Sequence, residues 1–121
     1  MKVDSPLRIK SYAFAKEIVF LYVKLTENRR EYVMSKQILK SGTSIGANIE
    51  EAQYAQSKPD FISKFSIALK EASETKFWLR LLCDTDFLDP SKTRELMQEL
   101  EELIALLTAS IMTAKKTLVT A

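Results

Sequence analysis

Four glutamates raise the first question of chemistry. Glu50 and Glu51 stand side by side in "ANIEEA", and Glu71 and Glu74 lie one helical turn apart in "KEASET". Carboxylate oxygens converging from two helices suit Mg²⁺ or Mn²⁺, and a metal held that way can activate water for hydrolysis of a phosphoanhydride. A structural reading competes. Ser44, Asn48 and Glu51 follow at i, i+4 and i+7, close to an apolar stripe. Asn48 facing Glu71 or Glu74 would satisfy a buried amide and fix helix register. The plainest reading leaves the glutamates in water.

Other chemistry is narrow. The chain has no histidine, which removes Ser-His-Asp and Cys-His catalysis, histidine zinc sites and Glu-x-x-His di-iron sites. Its one cysteine, Cys83 in "WLRLLCD", has no imidazole to activate it and reads as a small core hydrophobe. All-α nucleotide pyrophosphohydrolases place glutamate-rich motifs on paired helices. Here Tyr54 stands where another acid is wanted, and the later motif reads "EASE" rather than Glu-x-x-Asp. No catalytic residue, metal ligand or cofactor site is therefore assigned, and the hydrolase reading ranks last.

Charge is distributed unevenly. Residues 1–49 carry nine Lys/Arg against four Asp/Glu, whereas residues 50–121 carry nine against twelve. A basic first part fits an anionic partner such as RNA or DNA, an acidic protein, or self-association between unlike faces. The candidate phosphate contacts are Lys10, Lys16, Arg29, Arg30, Lys36 and Lys40. Lys36 and Lys40 share a helix face, and Arg29 and Arg30 lie in the loop before it. A pI near 8.6 is modest for a dedicated nucleic-acid binder, and no RNP-type or Gly-rich phosphate motif is present. Binding should be salt-sensitive and indifferent to sequence. "MKVDSPLRIKSYAF" lacks the apolar core of a signal peptide, and no long apolar run suggests a membrane span. A cytoplasmic location is expected.

The elements that must position these residues are helices. The chain has 121 residues with two glycines and three prolines, too little punctuation for a β-rich fold. Four periodic segments are expected, over about 5–27, 34–56, 60–83 and 90–118, as one all-α, antiparallel up-down-up-down bundle. Asp4 or Ser5 should cap the first, with Pro6 in its first turn; Asp60 or Ser57 should start the third, and Asp89 before Pro90 the fourth. The expected inner stripe of the first helix is Ile9, Tyr12, Ala13, Ala15, Ile18, Val19, Tyr22 and Leu25. Those of the second and third run through Ile38, Ser41, Ile45, Asn48, Ile49, Ala52 and Ala55, and through Phe61, Phe65, Ala68, Ala72, Thr75, Leu79 and Leu82. Phe14, Phe20, Leu21, Phe77 and Leu81 are surplus to these stripes. Such excess suggests a second buried surface and hence self-association.

Both glycines fall in "SGTSIGANIEEA", at Gly42 and Gly46. Inside a helix each costs about 1 kcal/mol relative to alanine. Four residues apart, they share a side of the helix. The surrounding small residues then form a groove that admits a backbone or a bulky side chain, with Trp78 or the phenylalanines of the third helix as candidates to fill it. A turn at "SGTSIG" is the alternative.

"SKQILKSGTSIGANIEEA" followed by "DFISKFSIALKEASETKFWLRLL" resembles the four-helix-bundle family encoded in intervening sequences of bacterial 23S rRNA genes, also labelled ribosomal-protein-like. The resemblance implies an antiparallel bundle that assembles as a homopentameric ring. It further implies kinship with a retroelement accessory protein that binds nucleic acid through a basic surface; most members of the family have no established molecular function, and a non-enzymatic bundle is the leading expectation. A five-fold ring would repeat any phosphate-binding patch five times. A protein-interaction scaffold remains the alternative function.

Overall fold

The computed structural model describes residue 3 and residues 5–120, with the side chains of 5, 119 and 120 excepted. Four helices form: α1 Ser5–Glu27, α2 Met34–Ala52, α3 Lys58–Asp84 and α4 Pro90–Thr120. Their ends follow from local chemistry. Ser57 takes an extended conformation and its hydroxyl accepts the Asp60 N–H at 3.2 Å. α3 therefore begins two residues before the expected Asp60, with Pro59 in the first turn, where its missing N–H costs nothing. Asp89 caps α4 by accepting the Lys92 N–H at 2.8 Å. The cap expected from Asp4 or Ser5 lies outside the described residues.

α2 closes at Ala52 rather than at Gln56. Gln53, Tyr54 and Ala55 each donate to the carbonyl three residues back, at 3.1, 3.0 and 3.1 Å, a tightening that ends the α-helical ladder. The Gln53 side chain then accepts the Val3 N–H at 2.8 Å, tying the N-terminal segment to this corner.

The helices run round the bundle in chain order, so α1 and α3 lie on one diagonal and α2 and α4 on the other. Neighbours are antiparallel. Arg8 of α1 pairs with Glu50 of α2, Lys64 of α3 with Glu51 of α2, and Glu17 of α1 with Lys92 of α4. The α1–α4 side is the most open. The expected stripe of α3 is buried in full. On α2, Ile38, Ser41, Ile45, Ile49 and Ala52 are buried together with Ser35 and Gly42, whereas Asn48 is only half-buried and Ala55, also half-buried, lies past the end of the helix.

On α1 the expected face is wrong. Only Ile18 and Leu25 of that stripe are buried; Ile9 is 68% and Tyr12 67% exposed. The core face is Leu7, Ser11, Phe14, Ile18, Leu21 and Leu25. Both faces of α1 repeat at helix-packing spacing, so periodicity alone does not choose between them. Charge and size do. Lys16 sits in the middle of the outer face, and an unpaired ammonium is expensive to bury. The inner face is free of charge, and Ser11 is small enough for α2 to come close.

Candidate nucleic-acid interface

The paired glycines lie in unbroken helix, neither with positive φ, so the alternative of a turn there is excluded. The partner that fills their groove is α1. A β-carbon added to Gly42 would meet the Ile18 side chain, and one added to Gly46 would stand 3.3 Å from the Ser11 carbonyl oxygen. The expectation that Trp78 or the α3 phenylalanines fill it is overturned. Trp78 is half-buried on α3, where its Nε1–H donates to Glu74 at 3.1 Å and its ring stands edge-on to Phe77 at 5.0 Å.

The polar network also differs from expectation. Asn48 donates to the Ser44 carbonyl of its own helix at 2.8 Å, and the Ser44 hydroxyl to that of Lys40 at 2.6 Å. Asn48 therefore does not pair with Glu71 or Glu74: it is only half-buried and finds a local acceptor. The buried polar link between α2 and α3 is instead Thr75 Oγ1 to Ser41 Oγ at 2.9 Å, with the Glu71 carbonyl 2.8 Å from the same threonine hydroxyl.

The four glutamates do not converge. Glu50 pairs with Arg8 on the α1 side of α2, Glu51 with Lys64 on the α3 side, and Glu74 accepts from Trp78. Among the described residues no group of three or more potential ligands is placed to hold a metal ion. The geometry gives the hydrolase reading no support.

The six basic candidates separate into three groups. Lys10 is paired with Glu102 of α4. Arg29 donates to the Asp86 carbonyl at 2.9 Å and its guanidinium lies 4.7 Å from the Phe87 ring centroid, so it stitches the α1–α2 connection to the α3–α4 loop. Lys16 lies 5.4 Å from the Tyr12 ring centroid on the outer face of α1. Arg30, Lys36 and Lys40 are exposed and make no ion pair among the described residues. Arg30 adopts φ 52°, a left-handed geometry that favours glycine. There it closes α1, and the following Glu31 N–H donates to the Leu25 carbonyl at 2.9 Å.

Sequence reasoning missed Glu31. Its carboxylate accepts the N–H groups of Val33, Met34 and Ser35 at 3.1, 3.0 and 2.7 Å, and so caps α2 in place of a side chain at Val33. Burial raises its pKa, but the three backbone donors and the Ser35 hydroxyl outweigh that and hold the carboxyl below its ordinary range. An acid just ahead of a periodic run was the available signal.

The opposite edge is acidic. On the α1–α4 side, burial pushes the Glu99 carboxyl above its ordinary range. Glu17 adds to the shift, Lys92 opposes it, and Glu95 and Glu102 add further. Beside this strip, a cleft of about 670 Å³ opens between the end of α1 and the α3–α4 loop, lined in part by Phe20, Val23, Arg29 and Phe87. Arg30, Lys36 and Lys40 thus lie on the α1–α2 loop and α2, whereas Glu17, Glu95, Glu99 and Glu102 crowd the α1–α4 edge together with Lys10 and Lys92. None of the helices in the described residues is long and apolar enough to cross a membrane.

These features define an all-α antiparallel four-helix bundle. A family model described as 23S rRNA-intervening sequence protein matches residues 5–109. The chain belongs to that family. Its fold is similar to the crystal structure of a protein of unknown function from the S23 ribosomal protein family of Bacteroides thetaiotaomicron. The similarity is 50% identity over 87% of this chain and 94% of that one, with a TM-score of 0.86. No curated protein matches.

Proposed function

We propose that this protein is a non-catalytic, self-assembling helical bundle of the cytoplasm that holds RNA or DNA by the phosphate backbone, at a surface formed by Arg30, Lys36 and Lys40. The observation that carries the reading is the division among the basic residues. Lys10 and Arg29 are consumed by contacts within the chain, whereas Arg30, Lys36 and Lys40 face water without a carboxylate partner. Lys36 and Lys40 lie one turn apart on α2, a spacing at which both ammonium groups face the same way. Arg30 occupies a backbone geometry that costs an L-residue roughly 1 kcal/mol, which supports a use for its side chain beyond the fold. Three cations per chain give weak binding; copies in a ring, five by the family resemblance, add their contacts.

Self-assembly is supported by the apolar outer face of α1, where Ile9, Tyr12 and Phe20 are each more than 60% exposed. Together with Val19 and Val23 these residues expose on the order of 500 Å², at the upper end for a monomer surface. Retention of labelled single- and double-stranded RNA at low and at physiological salt tests the binding. Retention at low salt that falls steeply with added salt is expected. No retention at low salt by a folded, assembled sample overturns it. Capture of an acidic protein that survives nuclease treatment would favour the scaffold alternative.

A further inference from the structure

The phosphate reading leaves the cleft between the end of α1 and the α3–α4 loop unused. At about 670 Å³ it falls within the roughly 300–1,000 Å³ of sites that hold small organic groups. Its floor is apolar, with Leu21, Leu25 and Leu88 buried there. Phe87 stands on one side, fixed by the Arg29 guanidinium 4.7 Å from its ring centroid. Phe20 stands on the α1 side, 63% exposed, and makes no ring or cation contact among the described residues. A bare ring beside an apolar floor is a platform on which another flat ring can stack.

The two ends of the cleft differ in charge. Glu17 and Lys24 both line it and lie seven residues apart on α1, about 10 Å along the helix. At the Glu17 end, Oε2 takes the Lys92 ammonium at 2.7 Å, and the other oxygen has no hydrogen-bond partner among the described residues. Glu95 and Glu99 lie just beyond it. Asp89, also on the lining, is engaged in capping α4. At the opposite end the exposed Lys24 ammonium makes no ion pair among the described residues, with Glu27 or any other acid. The cleft therefore presents an acceptor, an aromatic face and a cation in that order. A nucleotide with an amino-bearing base has the matching groups: the amino group for Glu17, the ring for Phe20 and the phosphate for Lys24. The carboxylates beyond Glu17 disfavour the reverse orientation, which would bring phosphate to them.

We infer that the cleft takes one unpaired nucleotide of a single strand whose neighbouring phosphates lie on Arg30, Lys36 and Lys40. This rests on the phosphate-binding reading above. Continuity favours a strand as the source. Lys24, Asn28 and Arg29 line the cleft, Arg30 follows directly in the chain, and Lys36 and Lys40 lie in the first turns of α2. The acid on that path, Glu31, is taken up by the backbone N–H groups of α2. One free cation holds a lone nucleotide weakly, whereas on a strand the adjoining phosphates add their contacts. A paired base keeps its ring in the duplex stack and its amino group in the pair. The cleft thus selects single strands, which phosphate contacts alone do not do.

Anisotropy titrations of the full chain test this with labelled oligoadenylate, a strand of equal length with every base removed, and duplex RNA, each at three salt concentrations. Circular dichroism and sedimentation follow fold and assembly. The wild type is expected to bind oligoadenylate at least about fivefold more tightly than the abasic strand. Phe20→Ala is expected to lose that preference and to bind the duplex unchanged. Lys24→Gln is expected to flatten the salt slope by about 0.7 on the single strand and not on the duplex. No retention of any strand at low salt overturns the phosphate reading and this one together. Strand retention with equal affinity for oligoadenylate and the abasic strand, or with Phe20→Ala unchanged, overturns the cleft alone. So does a Phe20→Ala variant that sediments as a smaller species, because Phe20 then belongs to a contact between copies. Adenosine monophosphate competing as strongly as oligoadenylate would make a free nucleotide the occupant and overturn the strand. Should Phe20→Ala lose helical signal, the abasic comparison on the wild type and the slope of Lys24→Gln decide.

Discussion

A β-carbon added to Gly42 would stand 2.8 Å from Cγ1 and 2.9 Å from Cγ2 of Ile18, at the contact of α1 with α2. Ile18 is fully buried and β-branched, so it has little rotamer freedom to yield. Gly42→Ala gains about 1 kcal/mol of helix propensity but incurs an overpacking cost of about 1–3 kcal/mol. A net loss of stability is expected. At Gly46 the nearest atom is the Ser11 carbonyl oxygen at 3.3 Å, a tight contact that asks the Ser11 backbone to give by a few tenths of an ångström and so offsets much of the gain in propensity. Gly46→Ala should stay within about 0.5 kcal/mol of wild type. Urea denaturation of the two variants checks the order, which propensity alone would make equal.

This contact also marks how far the sequence could be read. The helices were legible because Pro59, Pro90 and the polar breaks bound four segments with one dominant apolar period each. The stripes of α2 and α3 were legible because charge avoids them. α1 was not, because Ile9, Tyr12, Val19 and Val23 repeat as regularly as Leu7, Phe14, Ile18 and Leu21. Which set turns inward depends on Lys16 and on the fit of Ser11 and Ile18 to the glycines, a match between distant segments. The candidate site was legible only as a list of cations. Lys10 and Arg29 looked equivalent to Lys36 until the fold brought Glu102 and Phe87 to them.

Ser41 and Thr75 share the buried hydroxyl bond between α2 and α3. Thr75→Val keeps the shape and removes one partner, leaving the Ser41 hydroxyl with only the Ile38 carbonyl at 3.5 Å. The cost should be about 1–2 kcal/mol. Ser41→Ala with Thr75→Val removes both groups and should cost less than the two single changes added together. A double-mutant cycle by thermal or urea unfolding gives this coupling directly; additive losses would show that the two hydroxyls act independently.

Glu31 links the start of α2 to pH. Its folded pKa lies below the ordinary 4.5. A carboxyl lowered by folding stabilises the native state when ionised, so its contribution is complete above 4.5 and fades as pH falls through the lowered folded value. Glu31→Ala should cost about 1 kcal/mol at neutral pH, as loss of a helix cap does. The difference in melting temperature between wild type and variant should shrink as the pH is brought from 7 towards 3. A gap that stays constant would place the effect in packing rather than in the charged cap.

Lys36→Ala with Lys40→Ala separates phosphate contacts from structural ones. Both side chains are exposed and make no ion pair among the described residues, so the fold should melt as the wild type does, within about 0.5 kcal/mol. RNA affinity should fall, and the slope of log affinity against log salt should become shallower by about 0.7 per lost contact on a single strand, or about 0.9 on a duplex. Arg29→Ala should behave in the opposite manner. It removes the stacking on Phe87 and the bond to the Asp86 carbonyl, so stability should drop while the salt slope holds. Anisotropy titrations at three salt concentrations, paired with melts of the same samples, distinguish the two. If the double lysine variant and Arg29→Ala shift the salt slope alike, the division between free and engaged cations does not govern binding.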